Sequence, residues 1–370
     1  MRKTKPIIVG PPLTGSKPRH LALKQTLEKQ IEDMAHGDRL PSTRELMQSY
    51  NVSQSTVDHA LRDMESRRLI LRRRRSGVYV NKRSGSRTHN RLVGVLLPDL
   101  TDPFCALIAR GIESHLTGND YKMVLCNGAN NIQTELDLIA SWEGKLDAAI
   151  VNPTTSNVHA PEFARYFMNL DANRRLPFLV LDIMIPRVNV PFIGLDNFKA
   201  FAETVPRLIR QPDQFSDIVY CGFLVSVVGL ERLNGFRLGL EKAHVDINRV
   251  RIVNLTQPAN EPLINWKSLQ RRRPALFVAG TPTILPTLIR QLHEHNFRIP
   301  EDAVILSVTE ENTADYLPYP VLELIKPSRH LGQLAADRIR QLIQGQPIPP
   351  ETRLDLTLKI PDSIQRVLQP

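Results

Sequence analysis

Three groups of side chains in the N-terminal quarter have the types and spacing to hold a polyanion. Gln54-Ser55-Thr56 follows Ser53 directly. A Gln side chain can pair bidentately with adenine, and Ser and Thr hydroxyls reach base edges or phosphates. Arg72, Arg73, Arg74 and Arg75 form an unbroken cationic run ahead of Ser76-Gly77. Guanidinium groups there can neutralise phosphates or enter a minor groove. Arg44 adds a third cationic position. Residues 1–91 hold 20 Lys/Arg against 8 Asp/Glu, whereas the remainder holds 28 against 30. The whole excess of positive charge therefore sits at one end, as a nucleic-acid partner requires.

The elements that must position these groups follow from spacing. Leu23, Leu27, Ile31 and Met34 predict an amphipathic helix ended by Gly37-Asp38. Ser42 with Glu45 makes a capping box, so a second helix starts there and turns at Asn51. Ser53 is a further N-cap, and Val57, Leu61 and Met64 share one face of the helix it opens. Two short helices about a tight turn make a helix-turn-helix, with Gln54 in the first turn of its second helix. Leu69–Leu71 and Val78–Val80 read as strands, with Arg72 to Gly77 as the hairpin tip of a wing.

This segment resembles the GntR family of winged-helix regulators. The matching residues are Gly37-Asp38-Arg39-Leu40-Pro41-Ser42-Thr43-Arg44-Glu45-Leu46, Val52-Ser53-Gln54-Ser55-Thr56-Val57 with Ala60-Leu61, and Ser76-Gly77-Val78-Tyr79-Val80. The resemblance implies DNA contact by Arg44 and by the start of the second helix, with Gly77 in the wing. Gln54 and Asp58 stand where the family usually has Arg, and a carboxylate at Asp58 would repel phosphate.

Beyond a polar, basic linker at 83–90 the pattern changes. Apolar runs at Leu92–Leu97, Met123–Cys126, Ala148–Val151, Phe178–Leu181, Ile218–Cys221, Ala275–Ala279 and Val304–Val308 alternate with helical stretches. Such alternation predicts parallel sheets flanked by helices, and the length favours two lobes. The details are similar to the sensor body of LacI-type regulators, which is related to periplasmic sugar-binding proteins. The likeness is carried by Val93–Asp99 with Asp102-Pro103-Phe104, Ala109–Glu113, Arg232–Phe236, Arg298–Asp302, and Ser328–Gly345 with its Leu331-Gly332. The expected fold is thus α/β: a winged helix-turn-helix at 20–82 behind a basic tail at 1–19, then a two-lobed, doubly wound body at 91–362. Lobe 1 is expected at about 91–195 and 327–345, and lobe 2 at about 196–326 and 346–362.

That resemblance implies a transcriptional regulator, a repressor by preference, that binds a double-stranded DNA operator as a homodimer. It also implies a carbohydrate effector in a cleft at the carboxyl ends of the strands. Arg232 matches the family's effector-contacting arginine; its other reading is a surface ion pair. Phe104 offers an aromatic face or fills a core at a helix start. Asp182 faces the cleft or caps a turn. Glu310 stands where the family often has an acidic pair, and Gly280-Thr281 where Asn-Asp is common. The loss of that carboxylate keeps open a second reading, in which the body dimerises and takes no effector.

Other chemistry finds no support. His293 and His295 are two apart on a predicted helix and diverge, so they cannot share a metal. Cys105, Cys126 and Cys221 show no C-x-x-C spacing and fit a reducing compartment. The sequence has no phosphate-binding glycine loop and no nucleophile elbow, so neither an enzyme nor a cofactor is expected. No apolar run is long enough to cross a bilayer, and Ile7-Ile8-Val9 is too short for a signal-peptide core, so a cytoplasmic protein without membrane contact is expected.

Overall fold

The computed structural model describes residues 19–32, 34, 37–66, 69–73, 77–81, 91–142, 145–154, 176–185, 189–255, 264–269 and 274–368. The expected linker and all of the basic tail except Arg19 lie outside them. The chain divides into two compact units, 1–89 and 90–370.

In the first unit, α1 (Arg19–Glu32), α2 (Thr43–Tyr50) and α3 (Gln54–Ser66) precede the antiparallel pair β1 (Ile70–Arg73) and β2 (Gly77–Val80). The capping box forms as its residue types require. The Ser42 amide donates to Glu45 Oε2 at 2.7 Å and the Glu45 amide to Ser42 Oγ at 3.3 Å. Asn51 takes the left-handed conformation that ends α2, at φ +47°. Leu23, Leu27, Leu46, Val57, Leu61, Met64, Ile70 and Val80 are fully buried together. One expectation is corrected here. Arg72 and Arg73 belong to β1 rather than to the hairpin tip, because Arg72 pairs with Val78 and Arg73 with Gly77.

The second unit holds two six-stranded sheets. The first is built from β3 (Leu92–Leu97), β4 (Lys122–Asn127), β5 (Ala148–Val151), β6 (Phe178–Leu181), β7 (Phe192–Leu195) and β13 (Glu351–Leu354), in the order β13-β7-β6-β5-β3-β4, all parallel. The second is built from β8 (Ile218–Gly222), β9 (Val250–Asn254), β10 (Ala275–Ala279), β11 (Ala303–Glu310), β12 (Leu322–Lys326) and β14 (Thr357–Lys359). Its order is β14-β12-β11-β10-β8-β9, with β14 alone antiparallel. Strands buried on both faces read as continuous apolar runs, which is why β5 and β10 are apolar throughout.

Two boundaries are corrected. β13 joins the first sheet, not the second, because its neighbours complete the free edge of β7. The Phe192 amide donates to Pro350 O and the Asp196 amide to Leu354 O, each at 2.9 Å. The second lobe also runs past residue 362, into a short terminal helix whose Ile364 is buried in its core. The chain passes between the lobes three times: after β7, after β12, and between β13 and β14.

The longer helices described in the body are, in chain order, α4 (Pro103–Thr117), α5 (Ile132–Ser141), α6 (Asn197–Leu208), α7 (Val227–Lys242), α8 (Leu285–Glu294) and α9 (Ser328–Ile343). α4 and α9 touch backbone to backbone. A Cβ built on Gly332 would lie 2.2 Å from Ile108 O, and one on Gly111 would lie 2.2 Å from Arg329 O. Neither contact can be relieved by a rotamer change. Gly332→Ala is therefore expected to destabilise the body by about 1–3 kcal/mol in urea unfolding. An unchanged midpoint would mean that the helices separate freely.

Candidate functional site

The helix-turn-helix presents its second helix with Gln54 and Ser55 exposed and Thr56 half-buried. Ser53 Oγ accepts from the Thr56 amide at 3.3 Å and lies 2.9 Å from the hydroxyls of both Ser55 and Thr56. The hydroxyls thus cap the helix, and Gln54 is the exposed side chain of this turn not engaged by that cap. Arg44 is exposed on α2. Arg72 does not stand free. Its guanidinium lies 3.5 Å from Asp58 Oδ1 and 3.5 Å from Glu65 Oε2. The carboxylate expected to repel phosphate is thereby matched within its own unit, and Arg72 is correspondingly diverted. The side chain of Arg73, and Arg74, Arg75 and Ser76, lie outside the described residues. Gly77 sits at φ +116°, with Arg39 Nε 2.9 Å from where a Cβ would be. Arg39 is exposed and bridges Tyr79, which adds a cationic group beside the wing that spacing alone did not single out.

In the body, the five candidate residues fall into two linked groups at the carboxyl ends of the strands. The first centres on Arg232, buried on α7. Its Nε donates to Asn197 Oδ1 at 2.8 Å and its Nη1 to Gly280 O at 2.9 Å, so the surface ion-pair reading does not hold. Asp182 follows β6 at φ +62° and acts electrostatically on Arg232. Gly280 has a steric cause: a Cβ there would lie 2.5 Å from the hydroxyl of Tyr220, whose side chain is fully buried. Thr281 is half-buried, with Oγ1 3.3 Å from Thr283 Oγ1.

The second group centres on Lys326, the last residue of β12. Its ammonium pairs with Glu310 Oε1 and stands 4.2 Å from the centroid of the Phe104 ring. Ser328 Oγ donates to Glu310 Oε2. Phe104 opens α4, where Asp102 Oδ1 accepts its amide proton at 2.9 Å. Asn197, Tyr220, Lys326 and Ser328 were not among the sequence candidates.

Burial decides the proton affinities here. It pushes the Asp182 carboxyl up to about 6, against the opposing pull of Arg232 and Lys326. It pulls the Arg232 guanidinium down, with Asp182 as the main opposing charge. Glu135, a fully buried carboxyl on α5, accepts from the Thr154 amide at 3.1 Å and is pushed up to about 7 by desolvation.

Comparison with known proteins divides the chain in the same way. Residues 20–80 match the bacterial regulatory proteins of the gntR family, and residues 213–364 match the periplasmic binding protein-like domain. The chain thus carries a GntR-type match at its head and a periplasmic-binding-protein-like match in its body. The chain is 22% identical over 343 residues to the arabinose metabolism transcriptional repressor of Geobacillus stearothermophilus, covering 90% of the chain and 93% of the relative. It is 23% identical over 307 residues to the ribose operon repressor of Bacillus subtilis, covering 80% and 90%. The body superposes on a putative ribose operon repressor from Burkholderia thailandensis with a TM-score of 0.56 at 21% identity, covering 73% of this chain and 99% of that one. It superposes on a LacI family transcriptional regulator from Enterococcus faecium with bound ribose with a TM-score of 0.58 at 20% identity, covering 72% and 96%.

The raised Asp182 carboxyl makes stability depend on pH with a definite sign. The folded body holds a proton there that the unfolded chain releases, so this contribution is present below the ordinary carboxylate range and is lost as pH rises towards about 6. Asn tolerates the left-handed backbone at this position. The difference in Tm, Asp182→Asn minus wild type, should grow in favour of the variant between pH 4 and pH 7 and stay flat above. A difference constant across that range would place Asp182 in solvent.

Proposed function

We propose that this protein is a transcriptional regulator, a repressor rather than an enzyme, whose head binds a specific DNA operator and whose body binds a small carbohydrate. The observation that carries the reading is the pairing of an exposed Gln54 turn on a helix-turn-helix with a two-lobed body in which Arg232, Asp182, Glu310 and Lys326 converge at strand ends. The named repressors of arabinose and ribose metabolism among its relatives support a sugar of that size. One winged helix gives a small contact surface, so the operator is near-palindromic and is bound by a homodimer. No described helix is long and apolar enough to cross a membrane. A cytoplasmic site of action follows from the DNA partner.

A second reading, a body that dimerises and takes no effector, is favoured by the satisfaction of Phe104, Arg232 and Glu310 within the chain itself. Thermal unfolding in the presence of an aldopentose panel separates the two, because a ligand of the folded state raises Tm by mass action.

Two variants test the roles. Gln54→Ala should relax preference at one or two operator base pairs by about 1–3 kcal/mol in a randomised-site selection. Uniform weakening across all sequences would instead make Gln54 a phosphate contact. Arg232→Lys keeps the charge but loses the fork that holds Asn197 and Gly280. It should retain operator affinity and lose the pentose-induced rise in Tm. A variant that responds at wild-type pentose concentrations would remove Arg232 from the site.

A further inference from the structure

Lys326 makes the contacts that an incoming ligand would be expected to make. Its side chain is 5% exposed, and its ammonium joins a carboxylate of lobe 2, Glu310, to the face of an aromatic ring that opens lobe 1, Phe104. Ser328 occupies the other oxygen of Glu310, so that carboxylate has both oxygens engaged. A ring face covered by an ammonium cannot stack on a sugar, and a second cation brought beside it would be repelled. Arg232 and Asp182 make none of these direct contacts, although Lys326 acts electrostatically on Asp182 and Glu310 on Arg232, and they are the other polar pair of the cleft.

We propose that Lys326 is a specificity-determining residue of the cleft: as an internal ligand it withholds the Phe104 face and the Glu310 carboxylate, and so excludes amine-bearing ligands. The proposal rests on the reading of the cleft as an effector site. Neutral polyols are then read by Arg232 and Asp182, while amino sugars and alkylamines find their cation seat filled. Removing the ammonium exposes a ring and a carboxylate already positioned for another.

The test follows thermal unfolding of full-length wild type, Lys326→Ala and Lys326→Ala/Glu310→Gln in n-butylammonium chloride, against NaCl at equal ionic strength. Glucosamine is compared with glucose in parallel. The expected result is a saturable rise in Tm with butylammonium and glucosamine for Lys326→Ala alone, with wild type and the double variant staying at their NaCl and glucose values. Equal shifts in all three proteins, or none in a folded Lys326→Ala, would overturn the proposal. Should Lys326→Ala not fold, Lys326→Met retains the buried stem. In urea unfolding it should lower the folding equilibrium constant about threefold or more further in the Phe104 protein than in a Phe104→Leu background. Equal losses in both backgrounds would show that the ring does not hold the ammonium. Failure of wild type to respond to any aldopentose would count against the effector reading, a result separable from the amine measurements.

Discussion

The close approach of α4 and α9 at Gly111 and Gly332 fixes how these two helices lie against each other. Phe104 is the second residue of α4, and α9 begins two residues after Lys326. Once the two backbones meet with no side chain between them, the start of each helix is set relative to the other. Phe104 and Lys326 are then brought to within a ring's width although 222 residues separate them. A side chain at either glycine would push the helices apart and part the ammonium from both the ring and the lobe that carries it. The Leu331-Gly332 pair is thus a packing requirement with a consequence at the ligand end.

Much of this was legible in the sequence, for physical reasons that differ by element. The central strands announce themselves because burial on both faces leaves no room for polar residues, as in Ala148–Val151 and Ala275–Ala279. β12 and β14 carry Glu323, Lys326 and Lys359, and β13 is only partly buried, so none of them gives an apolar run. Their membership in a sheet depends on partners far away in the chain. β13 illustrates this: its four residues could serve either lobe, and the free edge of β7 settles the choice.

The site divides in the same way. Arg232 was recognisable from its local motif. Lys326 was not, because a lysine at a strand end acquires meaning only when the opposite lobe supplies a ring. Gly280-Thr281 stands where Asn-Asp is common, so the absent carboxylate falls at Thr281. The structure gives Gly280 a positive cause in the Tyr220 hydroxyl, which fills the volume a side chain would need. Asp58 was read as a repulsive charge, and Arg72 on the neighbouring strand neutralises it. In each case the sequence identified the unusual residue, and its compensating partner appeared only in three dimensions.

The triple passage of the chain between the lobes bears on how they can move. A single tether would permit twisting, sliding and bending alike. Three tethers, at Asp196, Pro327 and Asp355, restrict twisting and sliding more than a bend about the line that joins them. Lys199 in the first turn of α6 pairs with Asp355 at 2.9 Å and Arg353 lies 3.5 Å from Glu231, so the third passage is further bound to the second lobe. Relative motion of the lobes is therefore steered towards bending about that line.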